Sequence, residues 1–453
     1  MKVIQFLRII DDAMKIDAKD MNYVYSNPLI LDRLLSADPS GLPRKGVLVR
    51  IFVYLYKFIS NIKPLVWIKY RTIESGSTIF YAQSLNQLNS LERLSKNVKH
   101  SVLFSPNSNQ HLSFHTFIAY LFSLIFFPLV LKDYIKSEGL IRTGFHYNLN
   151  QYLLTYGFYI SMRLWLNRFK PNALVFSNDH NMENRVLEKA SHDEGITTAY
   201  LQHASVSSFM PPLSFNYALL DGRDALYVYD EIGSSETIIY LVGISKFDDY
   251  IDEINLKDRV DSIGICTNWL EPFDRIEELC RYLKNYLSNL EIYLRPHPHD
   301  KRERQMRELV NEIGIKMSDS NEEGVFDFLN GVDLILAGNS NIHLEAALLN
   351  VYPIFYDFTL NPDMEIYSFL KTGLCEYSSN PDEAHKKILS ILANKPNIRD
   401  RAKVYCNTVG TKFDGLSTEL ASSIISKIAN NKEISKENWL RIDGVSLEAY
   451  EHS

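Results

Sequence analysis

The chain has 453 residues, of which 46% are hydrophobic and 23% charged, and a formal net charge of −7 at pH 7. A chain of this length exceeds what one hydrophobic core supports, so two or three domains are expected, and the composition is that of a globular protein rather than a disordered or fibrous one. The acidic balance disfavours a nucleic-acid partner, because binding to a duplex needs a basic surface.

The N-terminal stretch MKVIQFLRIIDDAMK is apolar but is interrupted by Arg8, Asp11 and Asp12. It is too short and too charged for a signal peptide, so a cytoplasmic protein is expected. Residues 1 to about 110 show weak periodicity and are predicted to form mixed helices and loops. The four cysteines lie far apart without a CxxC pair, which predicts buried thiols in a reducing compartment rather than disulfides or a zinc site.

Phe117–Leu131 is an uncharged stretch of fifteen residues. As a helix it spans about 22 Å, less than the roughly 30 Å of a hydrocarbon core, and Pro128 would kink it. A membrane span is therefore disfavoured. A buried helix and an interfacial segment that makes peripheral contact with the inner face of the cytoplasmic membrane both remain open.

From about residue 151 the pattern is one of alternating strands and helices. The strands predicted in the first half are Ala173–Ser177, Thr197–Leu201, Tyr217–Leu220 and Ile238–Val242, with a helix over Met182–His192. Those predicted in the second half are Ser262–Cys266, Glu291–Leu294, Asp333–Ala337 and Tyr352–Tyr356. This alternation predicts an α/β chain with two Rossmann-like, doubly wound parallel sheets that face a central cleft.

The linker between the two units is predicted near Asp248–Lys257, where charged and small residues replace the apolar runs. The predicted domains are residues 1–255, with helical additions at the N-terminus, and residues 256–425. Residues 426–453 are predicted as a C-terminal tail that could pack back on the first domain.

Ligands of an open α/β sheet bind at the carboxyl ends of the strands, so the polar residues that follow each strand are the candidates. In the second half, the run RPHPH follows the strand that ends at Leu294. Arg295 could bind a phosphate with its bidentate fork, and His297 could act as a neutral donor or a general acid. A rigid exposed turn is the alternative, and a metal site at His297 and His299 has no third ligand nearby.

The second candidate is the turn Gly338-Asn339-Ser340-Asn341, which precedes a predicted helix. Small polar residues at a helix N-terminus suit an anion, although Ser340 or Asn341 would cap the helix whatever the function. Glu345 lies one turn further, where a carboxylate can reach ribose hydroxyls. His343 is predicted to be a helix-face residue rather than a catalyst.

Two candidates lie in the first half, at the ends of its first two predicted strands. Asn178, Asp179 and His180 follow one strand, and Gln202 and His203 follow the next. Asp179 is the candidate base for an acceptor hydroxyl, and His203 is its rival. The alternatives are an Asx turn at Asn178 that caps the next helix, and a purely structural role for His203.

These motifs resemble a known group of proteins when they are taken in order. RPHP, followed about forty residues later by DLILAGNSNIHLEA and then VYPIFY, is similar to the donor domain of GT-B glycosyltransferases of bacterial capsule and O-antigen synthesis. The HP pair resembles that of bacterial sialyl- and polysialyltransferases, and RPHP that of CDP-glycerol glycerophosphotransferases. The upstream FSNDHN and AYLQHAS segments are similar to capsule-polysaccharide biosynthesis proteins. The likeness covers about Leu174–Phe358, and the chain departs from it at Ala204 and Asn341, where relatives carry Gly and Ser.

The resemblance implies a metal-independent glycosyltransferase without a cofactor, which moves a sugar from a nucleotide-sugar donor to a growing, lipid-linked surface polysaccharide. It implies donor contacts from Arg295, His297 and the turn 339–341, with Glu345 at the ribose. Asp179 would be the base on the acceptor side, which Asn178, His180 and Gln202 complete. A CDP-glycerol type polyol-phosphate transferase, a sugar-nucleotide epimerase and a non-catalytic scaffold of a polysaccharide complex remain as alternatives.

Overall fold

The computed structural model describes residues 3–37, 47–60, 74–105, 116–359, 365–432 and 450–451. Within the described residues, five helices precede the first strand: α1 (Val3–Met14), α2 (Ala18–Met21), α3 (Tyr23–Ser26), α4 (Pro28–Ala37) and α5 (Val47–Ser60). After α6 (Leu85–Asn97) come α7 (Thr116–Ser123), α8 (Phe127–Lys136) and the long α9 (Gly139–Phe169). The helix α9 is the centre of this layer, since α1, α5 and α7 all pack on it.

The first sheet has seven strands: β1 (Thr78–Tyr81), β2 (Ser101–Phe104), β3 (Ala173–Phe176), β4 (Thr197–Leu201), β5 (Tyr217–Leu220), β6 (Ile238–Leu241) and β13 (Tyr450–Glu451). Their order is β13-β6-β5-β4-β3-β1-β2, and only the pair β13–β6 is antiparallel. The helices α10 (Met182–Asp193) and α11 (Arg223–Ile232) complete this unit. β3 is buried at every position, as expected of a short apolar strand covered on both faces.

The second sheet has six parallel strands: β7 (Ser262–Thr267), β8 (Glu291–Pro296), β9 (Lys316–Met317), β10 (Leu334–Ala337), β11 (Tyr352–Tyr356) and β12 (Glu376–Ser378). Its helices are α12 (Phe273–Tyr286), α13 (Glu303–Ile313), α14 (Val325–Asn330), α15 (Ile342–Leu348) and α16 (Pro381–Ile391). The order β12-β11-β10-β7-β8-β9 is the Rossmann order, in which the direction of winding reverses between β7 and β10.

The chain crosses between the two units twice. After β6 it enters the second unit, and after Val409, the last residue of the second core, it returns. The helix α17 (Ser417–Ala429) packs against α6 and contributes Leu420, Ile424 and Ile425 to the first core. The predicted boundary at residue 425 therefore falls inside a helix of the first unit, because the apolar face of α17 is buried there.

The two-unit α/β architecture with two Rossmann-like sheets predicted from the sequence is confirmed. Every strand predicted between residues 173 and 356 is present, with ends that differ by at most two residues. The prediction for residues 1 to about 110 missed β1 and β2, which have only four residues each and show no period. The stretch 151–169 belongs to α9, before the alternation begins.

The apolar stretch Phe117–Leu131 forms α7, a 3₁₀ turn at Leu124–Phe126 and the first half of α8. One side of α7 packs tightly on α9, because a Cβ added to Gly157 would lie 1.8 Å from the carbonyl oxygen of Ala119. By length and composition alone, Phe117–Lys136 is long and apolar enough to cross a membrane, and 28% of it is buried.

Candidate functional site

The carboxyl ends of the two sheets face each other across one cleft. Ser205, after β4, is hydrogen-bonded through its hydroxyl to the side-chain oxygen of Asn341, after β10. Lys246, after β6, forms an ion pair with Glu345 of α15, with Nζ 2.5 Å from Oε1. Both contacts join a loop at the carboxyl edge of the first sheet to the corresponding edge of the second.

The two turns predicted in the second unit emerge at the same edge of their sheet. β7 lies between β8 and β10, and in the register of the sheet Cys266 pairs with both Arg295 and Ala337. Two strand spacings separate the turns by about 10 Å, with the turn after β7 between them. This edge is also the point where the winding reverses, which is the usual ligand site of such a sheet.

Arg295 is not placed as the sequence suggested. Its guanidinium donates to Ser318 Oγ at 2.6 Å and to the carbonyl oxygen of Glu323 at 2.8 Å, and it lies over the Phe328 ring. The side chain is buried, and protein groups hold both terminal nitrogens. Arg295 therefore anchors β8 to the segment before α14, and its contact with a donor phosphate stays a prediction.

His297 is exposed at the end of β8. Its Nδ1 accepts a hydrogen bond from the backbone N–H of His299 at 3.1 Å, so the ring proton of the neutral form lies on Nε2. Partial burial and the neighbouring His299 ring lower the pKa of His297. The residue is thus a neutral imidazole near pH 7 that presents a donor at Nε2, and its role toward a ligand stays a prediction.

Arg302 is the cation that stabilises this edge of the sheet, and it was not among the residues predicted from the sequence. Its guanidinium donates to the backbone carbonyls of Asn268, at 3.0 Å, and of Glu271, and it pairs with Asp300 at 2.7 Å. It thereby ties the turn after β7 to the turn after β8. Arg302 precedes α13, six residues beyond the end of β8, so its position in the sequence does not mark it as a residue at a strand end.

The turn Gly338–Asn341 is held from several sides. A Cβ at Gly338 would lie 2.3 Å from Glu271 Oε1, so any larger residue there requires Glu271 to move. Asn339 Oδ1 accepts from the backbone N–H of Ile366 at 3.1 Å, and Ser340 Oγ accepts from that of Ile342 at 3.3 Å. His343 is fully buried beneath the turn and donates from Nε2 to the Gly338 carbonyl at 2.9 Å.

Two buried titratable groups at this edge are neutral near pH 7. Burial lowers the pKa of His343 to about 4, although the hydrogen bonds to the Gly338 and Ala337 carbonyls act to raise it. The ring therefore supports the turn without a charge. Burial raises the pKa of Glu271 to about 8, although the Asn268 backbone N–H donates to its carboxyl group at 2.9 Å. A protonated Glu271 adds no negative charge to this edge of the sheet.

The first unit places an imidazole and a carboxylate together after β3. Asn178 forms the Asx turn, since its Oδ1 accepts from the backbone N–H groups of His180, at 3.1 Å, and Asn181, at 2.9 Å. Asp179 is buried, and its two oxygens accept from Tyr229 OH at 2.7 Å and from His180 Nδ1 at 2.9 Å. Asp179 thus orients the half-buried His180 ring, whose Nε2 accepts a hydrogen bond from the Asn178 side-chain amide at 3.1 Å.

The residues after β4 have different roles. Gln202 accepts from the Asp221 backbone N–H at 2.8 Å and donates to the Ala204 carbonyl at 3.0 Å, so it shapes the turn. His203 is half-buried, and its Nδ1 has no hydrogen-bond partner among the described residues. Burial, with a smaller contribution from His180, lowers the pKa of His203 to about 4, so this ring is neutral.

Two further charged residues complete the row along the first sheet. Asp221 follows β5, and burial raises the pKa of its carboxyl group well above the usual range while Lys246 opposes the rise. Lys246 follows β6 and reaches Glu345 in the other unit. Glu345, predicted near a ribose, is thus part of an ion pair across the cleft. A signal for Asp221 and Lys246 existed in the sequence, because each lies just beyond a predicted strand.

No protein-family model matches the chain, and neither does any curated protein. Solved structures match at low identity. The UDP-GlcNAc 2-epimerase of Neisseria meningitidis, bound to UDP-GlcNAc, is 11% identical with a TM-score of 0.48 over 78% of this chain and 99% of its own. The UDP-N-acetylglucosamine 2-epimerase of Rickettsia bellii is 16% identical with a TM-score of 0.46 over 78% and 96%. The wall teichoic acid polymerase TagF, soaked with CDPG, is 11% identical with a TM-score of 0.48 over 95% and 99%.

Proposed function

We propose that this chain is a glycosyltransferase that uses a nucleotide-sugar donor and a lipid-linked acceptor at the inner face of the cytoplasmic membrane. The observation that carries the proposal is the pair Asp179–His180 at the carboxyl edge of one sheet. It shares a cleft with the glycine turn Gly338–Asn341 of the other sheet, joined through Ser205 and Asn341.

The nucleotide diphosphate of the donor binds at the winding reversal of the second sheet. His297 donates from Nε2 to a phosphate oxygen, and the turn 338–341 lines the opposite side. A neutral Glu271 between the two turns spares that phosphate a like-charge repulsion. Glu345 accepts hydrogen bonds from the ribose hydroxyls once Lys246 has turned from it toward the diphosphate.

The acceptor hydroxyl lies over the first sheet, where it replaces the Asn178 amide at His180 Nε2. Nε2 then takes its proton as the new glycosidic bond forms. Asp179 holds the ring through Nδ1 and stabilises the imidazolium that results. The bond from the sugar to the phosphate breaks in the same step. The negative charge that leaves with the nucleotide is met by the His297 donor and the ammonium of Lys246. His203, the rival base predicted from the sequence, is a second neutral imidazole on the acceptor side in this proposal.

Purified chain should be stabilised by one nucleoside diphosphate among CDP, UDP and GDP, or by CMP, in a thermal-shift screen, because a bound ligand raises the unfolding temperature by mass action. Loss of that shift in His297→Ala, with the shift retained in His180→Asn, would separate donor binding from acceptor activation. No shift with any nucleotide would favour the non-catalytic scaffold.

With donor and acceptor, His180→Asn and Asp179→Asn are expected to lower turnover by about 10² to 10⁴. His192→Asn, at an exposed histidine of α10, is the matched control and should leave turnover unchanged. Equal turnover in His180→Asn and the wild type would remove this base from the mechanism.

Mass spectrometry of the product distinguishes the alternatives: a phosphodiester indicates a polyol-phosphate transferase, and conversion of the donor without acceptor indicates an epimerase. Turnover should also persist in EDTA.

A further inference from the structure

Three helices of the N-terminal layer turn apolar side chains outward. On α5 the exposed positions Phe52, Tyr56 and Ile59 recur at helical spacing, and Phe52 is 70% exposed. On α1 the same holds for Ile4, which is 80% exposed, and Leu7. A helix of a water-soluble layer normally shows the opposite pattern, with charged residues on its outer face.

The segment from α7 through the 3₁₀ turn adds a third apolar face between the other two. Its exposed side chains are Leu121, Leu124 and Ile125, the last 57% exposed. Contacts between aromatic rings join this segment to both α1 and α5. Phe122 lies 5.8 Å from Phe6 of α1, and Phe117 lies 5.2 Å from Phe58 of α5, centroid to centroid. The three faces are therefore adjacent, and together they form one apolar surface.

The charge around this surface is opposite in sign to that of the chain. Along α5, α7, the 3₁₀ turn and α8 there are four basic residues and one acidic one, whereas the whole chain carries −7. Lys57, Lys132 and Lys136 are exposed there. The acids of α1 are neutralised locally, since Lys15 Nζ lies 2.6 Å from Asp11 and 3.6 Å from Asp12.

We propose that α1, α5 and α7–α8 form a docking surface for a bilayer rich in anionic lipids, which the chain enters in-plane without spanning it. Apolar side chains flanked by lysines are the composition that binds the interface of such a membrane. The close contact between Gly157 and Ala119 fixes α7 along α9, and the 3₁₀ turn interrupts the stretch, so a span would require this packing to break. This inference extends the peripheral contact of Phe117–Leu131 and does not depend on the proposed reaction.

The test is flotation of the full chain with lipid vesicles. The wild type should float with phosphatidylcholine vesicles that contain about a quarter phosphatidylglycerol, and about tenfold less with pure phosphatidylcholine or at high salt, because the lysines act on anionic headgroups within a Debye length. Alkaline carbonate should release it. Failure to float with the anionic vesicles, or retention after carbonate, would overturn the in-plane docking.

The double variant Phe52→Asp/Ile125→Asp should float at least about tenfold less than the wild type, since two apolar anchors become charged. Leu256→Asp/Leu389→Asp is the matched control, because both leucines are exposed but belong to the second unit. Equal thermal unfolding of the two variants verifies that neither change disturbs a core. Equal flotation of both variants would contradict the proposal. So would a dimer, measured by light scattering, that only Phe52→Asp/Ile125→Asp breaks, because a second copy would then cover this surface.

Discussion

At the scale of single residues, burial sets the protonation of the cleft. His203 and His343 are neutral because the loss of solvent lowers each pKa to about 4, and Glu271 is protonated because the same loss raises its pKa to about 8. None of the three is a mobile surface group. Lys246 and Glu345, which also lie in the cleft, form an ion pair across the two units.

Glu271 makes the stability of the fold depend on pH. In the folded chain it holds its proton up to about pH 8, whereas in the unfolded chain it loses it near its ordinary pKa of 4.5. The folded state binds more protons in this window, so its contribution to stability falls as the pH rises from 4.5 to about 8. The whole effect is at most about 5 kcal/mol, since one pKa unit is worth about 1.4 kcal/mol.

Glu271→Gln should therefore flatten the dependence of the unfolding free energy on pH between those limits, as measured by urea titration at a series of pH values. The slope is the diagnostic quantity, because glutamine also changes the hydrogen bonds to Asn268 at every pH. Asp274→Asn, at an exposed carboxylate of α12 three residues away, is the control and should leave the slope as it is. A variant slope equal to the wild-type slope would show that Glu271 is ionised in the folded chain.

At the scale of elements, three turns of the second sheet form one interlocked edge. Arg302 binds the turn after β7 to the turn after β8, and Glu271 lies against Gly338 in the turn after β10. A displacement in one turn is therefore transmitted to its neighbours through specific contacts rather than through the strands.

Gly338→Ala tests this coupling. The new Cβ would lie 2.3 Å from Glu271 Oε1, so Glu271 must move, at a cost of about 1 to 3 kcal/mol in unfolding free energy and with loss of the nucleotide-induced thermal shift. Removal of the obstructing group in Gly338→Ala/Glu271→Ala should restore part of the stability lost by Gly338→Ala alone. A double-mutant cycle by chemical denaturation measures this coupling. Additive losses would mean that the clash is relieved elsewhere.

The sequence predicted these elements unevenly, for physical reasons. Strands such as β3 and β4 are continuous apolar runs bounded by polar turns, and they could be located to within a residue or two. β1 and β2 are as short but follow no repeating pattern, and only their pairing with β3 and with each other makes them strands.

The site residues divide in the same way. Position after a strand was enough to find Asp179, His180 and His297, because topology alone brings strand ends together. It could not show that Arg295 turns toward Glu323, or that Arg302 reaches the carbonyls of Asn268 and Glu271, since those directions depend on packing between turns.

At the scale of the whole molecule, the two units are joined at two places besides the cleft contacts. One connection follows β6, and the other precedes α17. Two glycines of the first unit lie against the segment that leads to the second connection: a Cβ at Gly222, before α11, would meet the backbone of Tyr405 at 2.5 Å, and one at Gly243, after β6, would meet Thr408 Oγ1 at 2.1 Å. Two connections that pack this closely favour hinge bending of the units over separation.

The helix α17 should be essential to the first unit. Ile425 is fully buried in the first core, so Ile425→Ala is expected to cost about 2 to 5 kcal/mol. Hydrogen exchange should show the loss of protection in β3 and β4 rather than in β7 and β10. Ile388→Ala, at a fully buried isoleucine of the second core, is the matched variant and should give the reverse pattern. Loss of protection in both sheets with Ile425→Ala would mean that the two cores unfold as one.

The placement of α17 also bears on how the protein is made. Domains generally fold in the order in which they leave the ribosome. Here the earlier half of the chain keeps an open groove beside α6 until residues 417–429 have been synthesised, after the later half has already emerged. The two halves must then mature together, and a nascent chain stalled before residue 417 would expose unfinished apolar surface to chaperones.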